Sequence, residues 1–279
     1  MLIDTHTHTD FSYDCNVPMQ RQCEAAIAAG VREIAFTEHE ENNPNEDAPG
    51  SFRHAAYFRE LERCRRLFDG RLTIRAGIEI SEPHRYAAQA ERVLAAYPWD
   101  FVLGSLHWVD EQTNVLRPDF FTRYGGWREA FRVYFRELLA LSQRGGFDVL
   151  AHLDYPARYV RPARGEVYDI REFEADVRPA LQALIDRGKG IEINTASLRR
   201  GLPHPCPPAC VLDWFREMGG AIVTLGSDAH RAVDVGAHIP DAMAMAGAAG
   251  FAQVAAFENR LPRLIGLPAE NLKQPALRP

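Results

Sequence analysis

Seven short apolar runs, each followed by a longer stretch with helical spacing, constrain this chain more than any other feature. The runs cover residues 2–5, 33–37, 72–78, 101–105, 148–151, 190–194 and 221–226. Most are continuous rather than alternating, the pattern of parallel strands buried on both faces. Apolar residues spaced by three and four predict helices over 19–29, 55–68, 84–96, 126–143, 170–187 and 210–218. Most of them run into glycine, the expected C-terminal stop, and the third ends before Pro98. Two more helices are predicted over 239–249 and 251–260, with no strand after them. No boundary rich in Pro, Gly or Ser separates the β/α units. The chain therefore reads as one α/β domain over 1–279, of barrel type, with a doubly wound open sheet as the alternative.

The C-terminal ends of these strands carry unusual residues. The first run leads into His6 and His8, with Asp14 beyond a short polar turn. In extended backbone, residues i and i+2 share a face, so two imidazoles leave one strand end side by side, as a pair of metal ligands requires. The second end gives His39 with Glu38 beside it, and the third gives Glu79 inside an apolar run. The fourth gives His107, the fifth His152 and Asp154, the sixth Glu192 and Asn194, the seventh Asp228 and His230. Singly, each could be an ordinary hydrogen-bonded residue. Together, six of the ten histidines fall at five of the seven ends. Burying so many ionisable groups on one rim is very costly unless cations pair them. Barrels place functional groups at the ends of several strands, whereas open sheets collect them at a switch point, so the distribution favours the barrel.

Mixed histidine and carboxylate ligation without cysteine suits zinc, manganese or iron(II). The candidate ligands are His6, His8, Asp14, His39, Glu79, His107, His152, Asp228 and His230. Nine exceed the needs of one tetrahedral ion, so two or three divalent ions are expected, with Glu79 the natural bridge. Clustered divalent ions activate a shared water and stabilise charge on attacking and leaving oxygens, which is the two-metal logic of phosphate-ester hydrolysis. Glu192, which can equally face the helices, is left out of this set. Glu38 and Asp154 are expected to orient imidazoles from behind. No Gly-x-Ser-x-Gly or Gly-x-Gly-x-x-Gly motif competes for the chemistry.

Composition narrows the partners. The net charge of −6 argues against nucleic-acid binding by bulk charge, while leaving room for a small phosphorylated substrate held by one or two arginines. The five cysteines (Cys15, Cys23, Cys64, Cys206 and Cys210) are odd in number and scattered, as free thiols in a reducing compartment are. Cys206 and Cys210 lack the second pair of a zinc knuckle and read as loop cysteines. No leader opens the chain, and no apolar run approaches the roughly 18 residues that span a bilayer. A cytoplasmic protein without a membrane partner is expected. Polar stretches over 40–51, 108–125 and 155–169 are predicted as long loops. The small apolar surface at 243–249 suits packing on the barrel as well as an interface, so oligomeric state stays open.

The motifs His6-Thr-His8, Thr37-Glu-His39, Gly77-Ile-Glu79, Gly104-Ser-Leu-His107, Ala151-His152 and Gly226-Ser-Asp-Ala-His230 resemble, in order, those of the polymerase-and-histidinol-phosphatase (PHP) superfamily. The resemblance implies a distorted (β/α)7 barrel with a trinuclear metal centre at its C-terminal rim. It implies His6, His8, Glu79 and Asp228 as ligands of one ion, Glu79, His107 and His152 of a second, and Asp14, His39 and His230 of a third. The segments 152–159 and 194–199 resemble those carrying phosphate-binding arginines in the superfamily's monofunctional histidinol phosphatases, and Arg158 and Arg199 match these. The implied reaction is hydrolysis of L-histidinol phosphate by a metal-activated hydroxide, a step of histidine biosynthesis. Asp228 and His230 are the candidate catalytic side chains, either of which, or a metal-bound water, could protonate the leaving group. A phosphoesterase for nucleotides or oligonucleotides is the alternative, and a non-catalytic metal-binding module a third reading. The loop over 108–125 matches no pattern of the subfamily and leaves the imidazole end of the pocket unassigned.

Overall fold

The computed structural model describes residues 1–117, 119–160 and 168–272. Seven parallel strands pair in sequence order: β1 (Leu2–Thr7), β2 (Val31–Glu40), β3 (Thr73–Ser81), β4 (Phe101–Ser105), β5 (Val149–Leu150), β6 (Gly190–Asn194) and β7 (Val223–Gly226). The sheet curls until its last strand meets its first. Thr7 bridges Ala229, the His8 N–H donates to the Ala229 carbonyl at 3.0 Å, and the Asp228 N–H donates to the His6 carbonyl at 2.7 Å. Buried Asp4 braces this seam, accepting the N–H of Ser227 on one oxygen and of Gly236 on the other, both at 2.8 Å. The result is a nearly closed (β/α)7 barrel, and the open sheet is excluded.

The helices are α1 (Met19–Ala28), α2 (His54–Leu67), α3 (Ala87–Ala96), α4 (Phe120–Arg123), α5 (Trp127–Arg144), α6 (Glu174–Asp186), α7 (Ala196–Arg199), α8 (Ala209–Glu217) and α9 (Ile239–Ala248). The expected loop over 108–125 contains α4, and that over 155–169 opens with a 3-10 turn, Tyr155–Tyr159, before reaching residues outside those described. No helix among the described residues is long and apolar enough to cross a membrane.

Alternate strand residues divide between two cores, as a period of two demands. Ile34 and Phe36, Ile74 to Ile80 at every second position, Val102, Ile191, Ile193, Val223 and Leu225 pack outward among the helices. Ala35, Phe101, Leu103 and Val149 point inward. Glu79, between Ile78 and Ile80, and Glu192, between Ile191 and Ile193, are therefore inward residues. Both are fully buried. The idea that Glu192 faces the helices is corrected by this alternation.

The chain end departs from the helix expected over 251–260. It forms an antiparallel hairpin of β8 (Gln253–Glu258) and β9 (Leu261–Gly266). The run Val254–Phe257 is apolar on both faces, and a short continuous run carries no period that separates helix from strand. The turn decides: Asn259 and Arg260 take φ of 50° and 64°, the left-handed pair of a two-residue hairpin turn. Ala255 and Phe257 enter the inner core, where the Phe257 ring stacks on Phe101 at 4.8 Å. Arg260 pairs with Asp148 at 2.8 Å and the Asn259 N–H donates to Asp100 at 3.1 Å, and both carboxylates precede strand starts. The hairpin thus plugs the N-terminal end of the barrel and leaves the opposite rim for function. Phe257→Ala is expected to lower stability by about 3–5 kcal/mol in urea unfolding, through loss of transfer energy and a cavity. A loss under about 1 kcal/mol would mean that the hairpin is an appendage and not a plug.

Candidate metal centre

The nine candidate ligands, which lie far apart in the chain, converge on the C-terminal rim around Glu79. Glu79 Oε2 lies 3.1 Å from His6 Nε2, 3.5 Å from His8 Nε2 and 3.3 Å from His39 Nδ1. Its other oxygen lies 2.8 Å from His152 Nε2 and 3.5 Å from His107 Nε2. Asp228 Oδ1 stands 3.5 Å from His8 Nε2 and 3.4 Å from His230 Nδ1. Asp14 Oδ2 is 3.0 Å from His230 Nε2 and 3.6 Å from His39 Nε2. Ligand-type atoms of His6, His8 and Asp228 all lie within 4.8 Å of one another, as do those of Glu79, His107 and His152, and those of His8, His39 and His230. His152 and Asp228 hold φ of 21° and 53°, a conformation that non-glycine residues adopt at a cost of about 1–3 kcal/mol and that clusters at functional sites.

The ring nitrogens facing away from this centre determine what those facing it can do. His6 Nδ1 is 2.6 Å from Glu192 Oε1, and an ionised carboxylate only accepts, so Nδ1 carries the hydrogen. His8 Nδ1 is 3.0 Å from Ser12 Oγ, whose own hydrogen goes to Glu38 at 2.6 Å, so His8 Nδ1 is again the donor. Both Nε2 atoms then turn to the centre, 3.1 Å apart. Two such nitrogens need a cation between them, and burial notwithstanding, Glu192 and Glu79 hold His6 well above the usual imidazole range, so a proton fills that role until a metal ion replaces it. Four further imidazoles and three carboxylates in the same shell supply the rest of a donor set typical of borderline divalent ions. The residues fit bound divalent metal.

Charge balance points the same way. Burial pushes the Glu79 and Asp228 carboxyls up, but His6 and the other imidazoles around them prevail and hold both well below the usual carboxylate range. Burial, then His230 and His39, drive His8 down to about 3. His39 is also opposed by burial, yet Asp14 and Glu79 raise it to about 9.

Above the centre opens a cavity of about 590 Å³ lined by the ligand cluster, Tyr155, Arg158, Arg199, Arg200, Arg231 and Asp234. Arg158 is buried, lies over the Tyr155 ring at 3.9 Å, and brings Nη2 to 4.0 Å from Asp228 Oδ2. That Nη2 has no hydrogen-bond partner among the described residues. Arg199 donates to the Ser227 carbonyl at 2.7 Å and faces Asp234 at 3.6 Å, while its buried Nη1 is likewise unpartnered. One buried and one half-buried guanidinium group with unused donors beside a polar cavity suit an oxyanion.

Comparison with known proteins identifies this architecture. The PHP domain family matches residues 4–196. The chain belongs to the PHP domain family. A probable histidinol-phosphatase of Clostridium acetobutylicum is 31% identical over 266 residues, covering 94% of this chain and 98% of its own. The histidinol-phosphatase of Lactococcus lactis is 29% identical over 259 residues, covering 92% and 94%. The crystal structure of a Lactococcus lactis histidinol phosphate phosphatase, complexed with zinc, L-histidinol and phosphate, superposes with a TM-score of 0.81. It is 26% identical and covers 94% of this chain and 98% of that one.

In this PHP domain all nine expected ligands meet at one rim, and Arg158 and Arg199 line the cavity over it. Glu38 acts on His8 through Ser12, one residue removed from the expected contact. Asp154 touches no imidazole and instead accepts from the Cys206 thiol at 2.6 Å. β5 ends at Leu150, so strand alternation no longer carries Asp154 to the face of His152. Glu192 and Glu41 are the functional-site residues that sequence reasoning set aside or missed. Glu192 reaches His6 only because Gly226 opposite lacks a side chain, since a Cβ there would stand 2.2 Å from its Oε1. Glu41 follows His39 by two, the spacing that singled out His6 and His8, and that was the available signal.

With His39 at about 9, the metal-free protein at pH 7 lies below that value and holds a proton there, which an incoming ion must displace. Zinc titrations by calorimetry in two buffers of unequal ionisation enthalpy should therefore report release of at least one proton per chain. The share owed to His39 should fade above pH 9, while that of His6 and His107, which against burial are held well above the usual imidazole range by facing carboxylates, should persist. Heats identical in both buffers at pH 7 would show that His39 is not displaced.

Proposed function

We propose that this protein is a metal-dependent phosphomonoesterase that hydrolyses L-histidinol phosphate to L-histidinol and phosphate. The observation that carries the reading is the pairing, in one cavity, of the convergent imidazole and carboxylate cluster with Arg158 and Arg199, each bearing an unused donor. Whole-length similarity to a phosphatase solved with zinc, L-histidinol and phosphate supports the substrate. His6, His8, Glu79 and Asp228 hold one ion, Glu79, His107 and His152 a second, and Asp14, His39 and His230 a third. Zinc, manganese and iron(II) all suit these donors. Divalent ions bound there supply Lewis acidity, making water a better nucleophile and offsetting phosphoryl charge.

The chain's own residues do the rest. Arg158 and Arg199 clamp the phosphoryl oxygens, and their hydrogen bonds tighten as charge builds in the transition state. Arg158 is held by the Tyr155 face and by burial, so little is spent ordering it. Asp228 is the better of the two candidate proton carriers. His230 commits Nδ1–H to the Asp228 carbonyl at 3.1 Å and turns Nε2 to Asp14. Asp228 keeps Oδ2 on the cavity side, near Arg158 and 3.4 Å from the Asn194 amide. Ionised Asp228 takes the proton of the attacking water at Oδ2 and returns it to the departing ester oxygen. The water's O–H bond and the P–O ester bond break, and a new P–O bond and the alcohol O–H form. The free thiols at Cys15, Cys23, Cys64, Cys206 and Cys210 support the expected cytoplasmic setting.

Phosphate release should be fastest with L-histidinol phosphate when a panel of nucleotides and simple phosphomonoesters is assayed on samples of known metal content. Nucleotides turned over as well or better would replace this reading with the nucleotide one, and no turnover by metal-replete protein would favour a non-catalytic module. Arg158→Ala should raise KM about 10- to 100-fold, the value of one or two charged hydrogen bonds, with metal content unchanged. Loss of metal instead would make Arg158 part of the scaffold and not of the phosphate site.

A further inference from the structure

Glu41, just past the end of β2, has no part in the chemistry described above. It is 2% exposed, and a buried carboxylate needs strong partners to stay ionised. Its Oε1 accepts from the Ser81 hydroxyl at 2.8 Å, lies 3.0 Å from His107 Nδ1 and 3.4 Å from His39 Nδ1. Ser81 Oγ is also 2.9 Å from His107 Nδ1, but its single hydrogen is directed to Glu41. The hydrogen between Glu41 and His107 therefore belongs to Nδ1, which turns Nε2 toward Glu79. His39 has the same polarity: Nε2 faces Asp14, and Nδ1 faces Glu41 and Glu79. His39 Nδ1 makes no hydrogen bond among the described residues, and Glu79 Oε2 at 3.3 Å and Glu41 Oε1 at 3.4 Å are the acceptors it faces.

His107 and His39 belong to different ion positions in the assignment above. We propose that Glu41 is a positioning residue that fixes the His107 imidazole through its Nδ1 hydrogen, stands as the acceptor facing His39 Nδ1, and thereby couples the filling of two neighbouring ion positions. The inference rests on the metal-centre reading. An ion held by His107 would make its Nδ1–H a stronger donor and would hold Glu41 in place. Glu41 pinned in place then presents its oxygen to His39 already ordered, so the second ion meets a preorganised ligand. Linkage makes the effect reciprocal. Ser81 donates to Glu41 and so helps hold the carboxylate that both imidazoles face.

Stepwise zinc affinities, from titration against a chromophoric chelator, test the assignment on wild type, Glu41→Ala, Glu41→Gln and Ser81→Ala, with circular-dichroism melts of the metal-free proteins. Glu41→Ala should weaken two of the binding steps by about 10- to 100-fold each, the usual effect of removing such a partner. Glu41→Gln keeps the shape and a neutral acceptor, should fold even if the alanine variant does not, and should weaken the same two steps less. Ser81→Ala removes one donor to Glu41 and should weaken the same two steps, by less than Glu41→Ala does. Wild-type affinities in a folded Glu41→Gln or Glu41→Ala, with only a lowered melting temperature, would make Glu41 structural and overturn the inference. Weakening of a single step would overturn the coupling. A wild-type protein that binds no zinc would instead overturn the metal-centre reading, a result distinct from either.

Discussion

The Nε2 atoms of His6 and His8, turned to one another at 3.1 Å on fully buried rings, set the terms for the rest of the molecule. Such a contact is repulsive by itself and becomes favourable only around a cation. It is held in place because Glu192 and the Ser12–Glu38 relay take the hydrogens on the far sides of His6 and His8. A partner behind each ligand is thus as necessary as the ligand, since it alone decides which nitrogen carries the lone pair. Removing water from the site strengthens each of these contacts and raises the cost of any that is broken.

The barrel is arranged to meet that cost. Its inner core is small and apolar at the floor, where the C-terminal hairpin inserts Ala255 and Phe257, and ionic at the rim. The floor charges pair at the outside of the plug, Arg260 with Asp148 and Arg75 with Glu33, away from the rim. The stability of the lower half leaves the upper half free to hold left-handed backbone at His152 and Asp228. Asp4 links the two tasks, because the carboxylate that seals β1 to the β7 loop also places His6, two residues on, at the seam.

Much of this was legible in the chain. The strands at 101–105 and 190–194 coincide with β4 and β6, and the remaining ones differ by a few residues at their ends. The convergence of the nine candidate ligands was legible because coincidence at so many strand ends is implausible. The terminal hairpin was not, because a run apolar on both faces has no period and its turn, Asn259-Arg260, lacks the glycine that usually announces one. Glu192 was misjudged although its flanking isoleucines held the answer. Asp154 was given a partner that the end of β5 denies it.

The sequence by itself determined the repeating β/α order, the end of the barrel that would carry chemistry, and the kind of ion that such donors prefer. Those follow from local spacing and from side-chain chemistry, which are properties of the chain. Only the tertiary structure decided which nitrogen of each histidine faces the centre, that Glu41 stands behind His107 and His39, and that the floor is closed by a hairpin. Each of these depends on groups brought together from distant segments, at distances where one hydrogen or one missing Cβ reverses the sign of a contact.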